Sequence, residues 1–448
     1  MNIAVVGGGW AGLTAAFYLQ KAGHAVQIFE AAHTLGGRAK RVYSRNLDAD
    51  IDNGQHILLG AYSETLALMD ALGLDLDEVL YRETLSLRST DRRFRLGPSP
   101  LPAPLHLLGA MATAKGISLR ERWQLARITY RLRRQHWKTT PGQTVGQWLK
   151  LSEQSERLIR QFWRPLCIAA MNTPIERACA QLFAHVLRDS LGGPRAASDV
   201  LIPRVDLTAL WPERMMRLNS GPNPVTIRYG KTIRQLHDFE THISVDGLNF
   251  DAVVVAGNAF STHRLLASLP ESPAGAAYLD ALDAFEYLPI STISLMLERP
   301  WRLPHAMTML HDDPARLHFG QWLFDRSVFY KTPLHDDAPR IKPLLNVVVS
   351  DAGDIQRYSR KEVIAATIQQ VQEQTGAFSA MPKVLASELI TEKRATFMAV
   401  PGLIRPGNDT PWPRVWVAGD WTNTGYPGVL EGATRSGRNA ARLLSKAT

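Results

Sequence analysis

Apolar runs and helical periodicity alternate at the start of the chain. Residues 2–6 form a short β-branched run that ends at three consecutive glycines. Apolar residues then recur at helical spacing as far as Leu19, and residues 24–29 form a second apolar run. Short β-branched runs favour buried strands, whereas a period of 3.6 residues favours a helix. The pattern therefore predicts a strand–helix–strand unit.

Parts of this pattern return much later in the sequence. Residues 250–256 form an apolar run that stops at Gly257, and residues 414–418 form another that stops at Gly419. Helical periodicity over 429–444 follows the second run. We predict that these pieces join the first unit, so that one domain is assembled from three separated segments.

The sequence between those segments has a different character. Residues 117–138 and 144–189 show helical periodicity, whereas residues 291–297 and 344–349 are apolar runs typical of strands. The pattern predicts a second domain with a mixed α+β part and a helical part.

Composition excludes several classes of protein. Of the 448 residues, 45% are hydrophobic and 21% are charged, which excludes wholesale disorder. Two cysteines exclude a disulfide framework, and no apolar stretch is long enough for a spanning helix. Thirteen histidines are scattered without ligand spacing, so no metal site is expected. The first strand begins without a signal sequence before it, so we expect a cytoplasmic location.

A glycine motif lies between the first strand and the first helix. In Gly7-x-Gly9-x-x-Gly12, the successive glycines allow a tight turn, close approach of a pyrophosphate, and close packing of the helix on the sheet. Glu30 ends the second strand, where its carboxylate can accept hydrogen bonds from ribose hydroxyls. The positive end of the helix favours phosphate. Together these features predict a Rossmann-like dinucleotide site.

A second glycine element follows closely after Glu30. Leu35-Gly36-Gly37-Arg38 offers close backbone approach and a fixed cation. Val417-Ala418-Gly419-Asp420 and the Gly-Val-Leu-Glu-Gly-Ala run at 428–433 come near the other end. With these elements the sequence resembles the superfamily of FAD-dependent amine oxidases and phytoene desaturases. The resemblance implies FAD as the cofactor, with the aspartate near its ribityl–phosphate region and a helix N-terminus aimed at the flavin pyrimidine.

Longer stretches resemble a narrower group, the hydroxysqualene dehydroxylases, also called squalene-associated FAD-dependent desaturases. These stretches are residues 52–56 with 58–62, 198–207, 392–397, and 425–427 with 431–433. The resemblance extends over nearly the whole chain. It implies that the hydroxyl group of hydroxysqualene is replaced by hydrogen to give squalene, in squalene and hopanoid biosynthesis.

The implied fold class is α/β, with a discontinuous Rossmann-like FAD-binding domain, a mixed α+β substrate domain and a helical subdomain. The predicted FAD-binding domain comprises residues 1–75, 220–265 and 405–448. The predicted substrate domain comprises residues 76–219 and 266–404, of which 105–190 is mostly helical. The residues predicted to bind FAD are Gly7, Gly9, Ala11, Gly12, Glu30, Gly37, Arg38, Gly54, Gln55, Ile233, Gly419, Asp420, Pro427, Val429 and Leu430.

The implied reaction requires a proton donor. Hydroxide is a poor leaving group, so the hydroxyl group must be protonated or assisted before a transient allylic-type cation accepts hydride from reduced flavin N5. His56 is one catalytic candidate, since it follows the Gly-Gly-Arg element closely enough to lie beside the flavin. Asp52 is the other, provided that burial raises its pKa. A structural role for His56, hydrogen-bonded to backbone, stays an open alternative.

A triterpene substrate also needs a long apolar tunnel. Several aromatic residues of the second domain suit such a lining, although most aromatic residues belong to ordinary cores. The candidates are Trp163, Phe183, Trp211, Phe319, Trp322, Phe324, Phe329 and Tyr330.

The helix over 117–138 has an unusual charge distribution in a chain of net charge +9. Three sets of residues fall on separate faces at 100° per residue. They are a basic face (Arg120, Arg127, Arg131, Arg134, Lys138), an apolar stripe (Leu119, Trp123, Ala126, Tyr130, Trp137) and a second apolar stripe (Leu125, Ile128, Leu132). Such a helix can lie on an anionic bilayer, on the inner face of the cytoplasmic membrane. It can equally pack in the core with a solvated basic face, and both interpretations stay open.

Alternative functions also stay open. An FAD-dependent desaturase of a carotenoid-like polyene would run hydride transfer in the opposite direction. A non-catalytic flavoprotein could serve as a scaffold for isoprenoid synthases. The expected partners are an apolar triterpenoid, a membrane surface and upstream synthases of the squalene pathway. Nucleic acid is not expected, because the basic excess is spread along the chain without a groove-reading motif.

Overall fold

The computed structural model describes residues 1–90, 94–97, 99, 101, 105–218, 222–301, 303–329 and 343–447. The strands are β1 (Asn2–Val6), β2 (Ala25–Phe29), β3 (Arg41–Ser44), β4 (Ala49–Asp52), β5 (Leu58–Leu59), β6 (Leu80–Glu83), β7 (Leu87–Arg88), β8 (Arg95–Leu96), β9 (Val200–Pro203), β10 (Val225–Arg228), β11 (Leu236–Asp238), β12 (Ile243–Val245), β13 (Leu248–Phe250), β14 (Ala252–Val255), β15 (Tyr287–Leu297), β16 (Met307–Met309), β17 (Trp322–Asp325), β18 (Leu344–Ser350), β19 (Val384–Phe397) and β20 (Val415–Val417). The α-helices are α1 (Trp10–Lys21), α2 (Ser63–Ala71), α3 (Leu76–Val79), α4 (Leu105–Thr113), α5 (Leu119–Arg134), α6 (Val145–Leu151), α7 (Glu156–Leu158), α8 (Arg164–Met171), α9 (Ala180–Leu191), α10 (Leu207–Leu210), α11 (Ala259–Leu266), α12 (Pro273–Asp283), α13 (Arg326–Phe329), α14 (Arg360–Thr375) and α15 (Leu430–Ala447).

A parallel five-stranded sheet has the order β10-β2-β1-β14-β20. Val6 at the end of β1 lies beside Phe29 of β2 and Val255 of β14. Apolar strands buried on both faces are typical of such sheets, and Ile3, Ala4 and Val5 are fully buried. The strands come from three separated segments, and the predicted α/β fold with a Rossmann-like sheet is confirmed. Strand β10 was not predicted, because it is a short edge strand in which threonine and arginine interrupt the apolar pattern.

A second, antiparallel sheet has the order β16-β17-β18-β15-β19. The strands predicted over 291–297 and 344–349 are its central pair, and β15 begins four residues earlier than predicted. The long strand β19 pairs with β15 over nearly its whole length. It was missed because charged residues interrupt its apolar alternation. Helix α14 and an apolar cluster cover one face of this sheet, so the other face is left for the cavity described below.

The segment 105–190 contains α4 to α9, but the continuous helix suggested by the periodicity over 144–189 is broken. Thr144 and Ser155 each cap a new helix, because their hydroxyl groups accept backbone N–H bonds. A π-helical turn covers Ile159–Trp163, and Asn172 ends α8 in the left-handed conformation. In the part of the chain that is described, no helix is both long and apolar enough to cross a membrane.

Candidate active site

A cavity of about 940 Å³ opens at the carboxyl ends of β1, β2 and β14. Ligands of open α/β sheets bind at this edge, because the loops that leave the strands meet the helix N-termini there. The cavity extends from the glycine turn to a chamber beneath the second sheet and the helical segment. We call the end at the glycine turn the cradle. Gly9, Glu30, Arg38 and Asp420 are among the residues that line it.

The turn at the cradle has no room for side chains at two of its glycine positions. Gly7 has φ +114°, and a Cβ atom there would lie 2.7 Å from the carbonyl oxygen of Ala256. A Cβ atom on Gly12 would lie 2.0 Å from the carbonyl oxygen of Gly7. Gly9 caps α1 without a side chain, so no side chain occupies the N–H groups of the first turn. Gly7, Gly9 and Ala11 line the cavity, whereas Gly12 lies behind it as a packing position.

Glu30 is fixed at the end of β2 by two backbone hydrogen bonds. Its Oε2 accepts from Gly8 N–H at 2.6 Å, and its Oε1 accepts from Ala32 N–H at 2.7 Å. An ionised carboxylate has about four acceptor positions, so two stay available for hydroxyl donors in the cavity. The structure thus places the Glu30 carboxylate beside the glycine turn and shows what orients it, while its contact with a ribose stays a prediction.

Arg38 and Asp420 form an ion pair across the cradle. Arg38 Nη2 donates to Asp420 Oδ1 at 2.7 Å, and Nη1 donates to the carbonyl oxygen of Ala395 at 2.7 Å. Burial acts to lower the pKa of Arg38, but the charge of Asp420 and its hydrogen bond outweigh burial and raise the pKa above its usual value, so the cation is permanent. Arg38 is a fixed charge, as predicted, with a carboxylate partner that the sequence did not reveal.

The other residues predicted to bind the cofactor also line the cavity. Two elements carry most of them: the loop from β20 to the start of α15, and the stretch after β4. These lining residues are Gly37, Gly54, Gln55, Ile233, Gly419, Pro427, Val429 and Leu430.

The two catalytic candidates lie in different environments. His56 lines the cavity, and its Nδ1 lies 3.0 Å from the carbonyl oxygen of Gly54. A carbonyl only accepts, so Nδ1 carries the proton and Nε2 carries a lone pair. Burial lowers the pKa of His56, as does the charge of Arg38, so the imidazole is neutral at neutral pH. The backbone hydrogen bond that we kept as an alternative for His56 therefore exists.

Asp52 lies behind the cavity and is absent from its lining. Its Oδ1 accepts from Leu207 N–H at 2.8 Å, and its Oδ2 accepts from Arg326 Nη2 at 3.2 Å. Burial raises the pKa of Asp52, although Arg326 acts in the opposite direction. The predicted rise is present, but both oxygens hold structural partners away from the cavity. The geometry therefore favours His56 over Asp52 as a group that meets substrate.

The far chamber is apolar. Three of the eight aromatic candidates, Phe183, Trp322 and Phe324, line it. Four others, Trp163, Trp211, Phe319 and Phe329, are buried away from the lining, and Tyr330 is outside the described residues. The rest of the chamber is mainly aliphatic and comes from four parts of the chain. Its members include Leu85, Leu87, Leu96, Met111, Leu125, Phe162, Leu166, Leu187, Met307 and Val348.

Comparison with known proteins connects this geometry to a family. A family model described as flavin containing amine oxidoreductase matches residues 10–445. The chain belongs to this family. The hydroxysqualene dehydroxylase of Rhodopseudomonas palustris is 26% identical and covers 99% of this chain and 98% of its own. The hydroxysqualene dehydroxylase of Zymomonas mobilis is 24% identical, with 98% of each chain covered. Cyclohexylamine oxidase from Brevibacterium oxydans has the same fold, with a TM-score of 0.71 at 14% identity over 100% of this chain and 99% of its own.

As a flavin-dependent oxidoreductase with a dinucleotide cradle, the protein uses FAD. The residues present fit that group on three observations. The first turn of α1 offers N–H groups without side-chain caps, Glu30 keeps free acceptor positions, and a Cβ atom on Gly37 would lie 3.0 Å from Gly9 Cα. Any larger residue at Gly37 would close the cradle where the two glycine elements meet.

Sequence reasoning missed functional positions that depend on long-range contacts. Thr292 of β15 lines the cavity beside Gly54, although the strand had been recognised only as an apolar run. Arg405 donates to four backbone carbonyl oxygens of the loop that carries Asp420. Alternation along β15 could have indicated that Thr292 shares a face with Ile290, but no local pattern identifies Arg405.

Proposed function

We propose that the protein is a hydroxysqualene dehydroxylase, which replaces the hydroxyl group of hydroxysqualene with hydrogen and releases squalene and water. The main observation in support of this proposal is that the dinucleotide cradle opens directly into a large chamber lined by aliphatic and aromatic side chains. An apolar chain can bury most of its surface there, and burial of apolar area is the main source of its binding energy. The relatives named hydroxysqualene dehydroxylase support the choice of substrate.

In this reaction a C–O bond breaks and a C–H bond forms. The oxygen leaves as water after it gains one proton, and reduced FAD, when bound, supplies the hydride. The chain contributes orientation and exclusion of water, because the buried chamber holds the hydrocarbon away from solvent. We propose that the cavity-lining residues of the cradle hold FAD, and that Gly12 permits the turn. His56 faces the reacting group in this proposal. Its imidazole takes one proton from solvent to become the imidazolium and passes that proton to the leaving oxygen. Burial lowers the pKa of His56, so the imidazolium gives up this proton readily.

Turnover of hydroxysqualene by the reduced holoenzyme tests the proposal. We expect that dithionite-reduced protein, mixed anaerobically with hydroxysqualene, will regain the absorbance of oxidised flavin and form one squalene per flavin. Squalene in place of hydroxysqualene is the matched control and should leave the flavin reduced. Bound flavin without reoxidation would contradict the proposal. Reduction of oxidised flavin by phytoene would favour the desaturase, and inertness towards both compounds would favour the scaffold.

We further propose that the outer face of α5 docks on an anionic membrane. Leu119, Trp123 and Tyr130 are exposed by 80%, 62% and 65%, and exposed arginines flank them. Aromatic and aliphatic side chains beside cations suit the interface of an anionic bilayer. Large apolar side chains exposed together on one helix face are uncommon on surfaces that contact only water.

The opposite face of α5 links this surface to the cavity. Leu125, Ile128 and Leu132 are buried, so this stripe packs in the core as the alternative interpretation required. Leu125 also lines the apolar chamber. Trp137, assigned to the outer stripe in the sequence analysis, instead lies partly buried against Gly192 and adopts φ +60° beyond the end of the helix. The membrane surface therefore consists of Leu119, Trp123, Tyr130 and the arginines beside them.

Replacement of Leu119, Trp123 and Tyr130 by serine is expected to lower the membrane-bound fraction about tenfold, because three apolar anchors are lost. Flotation with vesicles rich in phosphatidylglycerol measures this fraction, and high salt should weaken binding of the unsubstituted protein. Tyr43→Ser with Phe239→Ser is the matched control, since both side chains are exposed elsewhere. Equal flotation of the triple variant and the control would show that α5 is not the anchor. A cytoplasmic location and contacts with upstream synthases stay predictions from the sequence.

A further inference from the structure

Two amide side chains at the junction of cradle and chamber are held by hydrogen bonds within the protein. Asn172 donates to Thr396 Oγ1 at 2.9 Å and accepts from Asp351 N–H at 2.7 Å. Gln55 accepts from Asn346 Nδ2 at 3.0 Å and donates to the carbonyl oxygen of His56 at 3.2 Å. Each of these amides is therefore oriented by one donated and one accepted hydrogen bond within the protein.

Two side chains beside Gly54 keep unused capacity. His56 has a protonated Nδ1 bound to the Gly54 carbonyl oxygen, and its Nε2 has no hydrogen-bond partner among the described residues. Nε2 is therefore an acceptor without a donor. Thr292 is 3% exposed. Among the described residues, its hydroxyl oxygen accepts one hydrogen bond, from Gln55 N–H at 3.3 Å. Its own proton is therefore a donor without an acceptor.

The space between these two groups is set by a glycine. A Cβ atom built on Gly54 would lie 3.5 Å from His56 Cε1 and 3.8 Å from Thr292 Oγ1. Both side chains therefore border the same small volume, and all three residues line the cavity. The surrounding chamber is apolar, so a polar group of a ligand would find its partners here.

We infer that His56 Nε2 and Thr292 Oγ1 form a subsite for a hydroxyl group carried on an otherwise apolar substrate. A hydroxyl group both donates and accepts, which matches one free acceptor and one free donor. The inference rests on the proposed function, because it assigns the position of the substrate's hydroxyl group. It makes Thr292 a residue that distinguishes the hydroxylated substrate from its hydrocarbon product.

Differential binding tests the subsite. Dissociation constants of hydroxysqualene and squalene are measured with FAD-loaded protein from the change in flavin absorbance, with FAD content determined for every variant. We expect the unsubstituted protein to prefer hydroxysqualene about tenfold, which is typical of one or two neutral hydrogen bonds. Thr292→Val, which removes the hydroxyl group at nearly constant volume, should equalise the two constants. Thr292→Ser should restore the preference.

Gly54→Ala provides a second, independent variant. The new methyl group would make ordinary contacts with His56 and Thr292, and the backbone φ of Gly54 is not positive, so the substitution fits without strain. Because Gly54 is also predicted to contact FAD, the comparison is made at equal FAD content, where the variant should weaken hydroxysqualene binding more than squalene binding. A preference for hydroxysqualene that survives both Thr292→Val and Gly54→Ala would overturn the subsite, as would its absence in the unsubstituted protein. Failure of the proposed function would instead show as no squalene formed by the unsubstituted reduced enzyme.

Discussion

Gly12→Ala is expected to abolish retention of FAD. The added Cβ atom would lie 2.0 Å from the Gly7 carbonyl oxygen and 2.9 Å from Ala256 Cβ. Relief of the first overlap must displace the backbone that forms the floor of the cradle, because neither atom belongs to a flexible side chain. We expect the dissociation constant for FAD to rise at least about a hundredfold, measured by adding FAD to the apoprotein.

Gly353→Ala is the matched control for this substitution. Nothing lies within 4 Å of a Cβ atom at Gly353, and its φ of –63° suits alanine. Its FAD content should equal that of the unsubstituted protein. Circular dichroism of both variants separates loss of the cradle from loss of the fold. Gly12→Ala protein that folds and keeps a full complement of FAD would contradict the steric argument.

Arg405→Met is expected to destabilise the protein by about 2–4 kcal/mol and to weaken FAD binding more than about tenfold. Arg405 Nε donates to the Trp421 carbonyl oxygen at 3.0 Å, and its two Nη atoms donate to the carbonyls of Asp420, Thr422 and Tyr426. The guanidinium also lies over the ring of Phe397. Methionine would remove these four hydrogen bonds. Within the described part of the chain, only the Thr422 carbonyl of the four would keep a backbone donor, Thr424 N–H, so the loop that presents Asp420 to the cradle would lose its fixed shape.

The charge of Arg405 is retained despite its surroundings. Burial lowers the pKa of Arg405 to about 10, partly offset by Asp420, so the group is still protonated at neutral pH. Urea denaturation measures stability, and titration with FAD measures affinity. Arg405→Lys should recover part of both, since an ammonium reaches fewer carbonyls than a guanidinium fork. Arg357→Met, at an exposed ion pair with Asp354, is the control and should change little. Unchanged stability and FAD affinity in Arg405→Met would show that the hydrogen bonds of Arg405 to this loop are dispensable.

The cradle was largely predictable because its chemistry depends on short-range spacing. The positions of Gly7, Gly9 and Gly12 between a strand and a helix dictate a turn that only glycine can make. Glu30 follows at the end of the next strand, so parallel pairing of β1 with β2 brings its carboxylate to that turn. Resemblance to known sequences, rather than periodicity, added Arg38, Asp420 and the reaction.

The catalytic candidates show where prediction from the sequence ends. His56 and Asp52 are four residues apart, and nothing local distinguishes them. In the structure Leu207 and Arg326, both remote in sequence, hold Asp52 behind the cavity. The helix over 117–138 likewise carried two apolar stripes of similar appearance. Tertiary packing buried one stripe and left Leu119, Trp123 and Tyr130 exposed.

The sequence by itself determined the Rossmann-like sheet, the glycine turn and a dinucleotide as the ligand, because these follow from short-range backbone geometry and from the length of apolar runs, whereas FAD in particular came from the resemblance. Only the tertiary structure decided that Thr292 meets His56 across Gly54, that Arg405 holds the Asp420 loop, and that the cradle continues into an apolar chamber. The contact of Thr292 with the Gly54 region depends on packing between segments 237 residues apart. Arg405 lies only 15 residues from Asp420, but its contacts depend on how the loop between them folds back. Neither arrangement leaves a local pattern of apolar and polar positions along the chain.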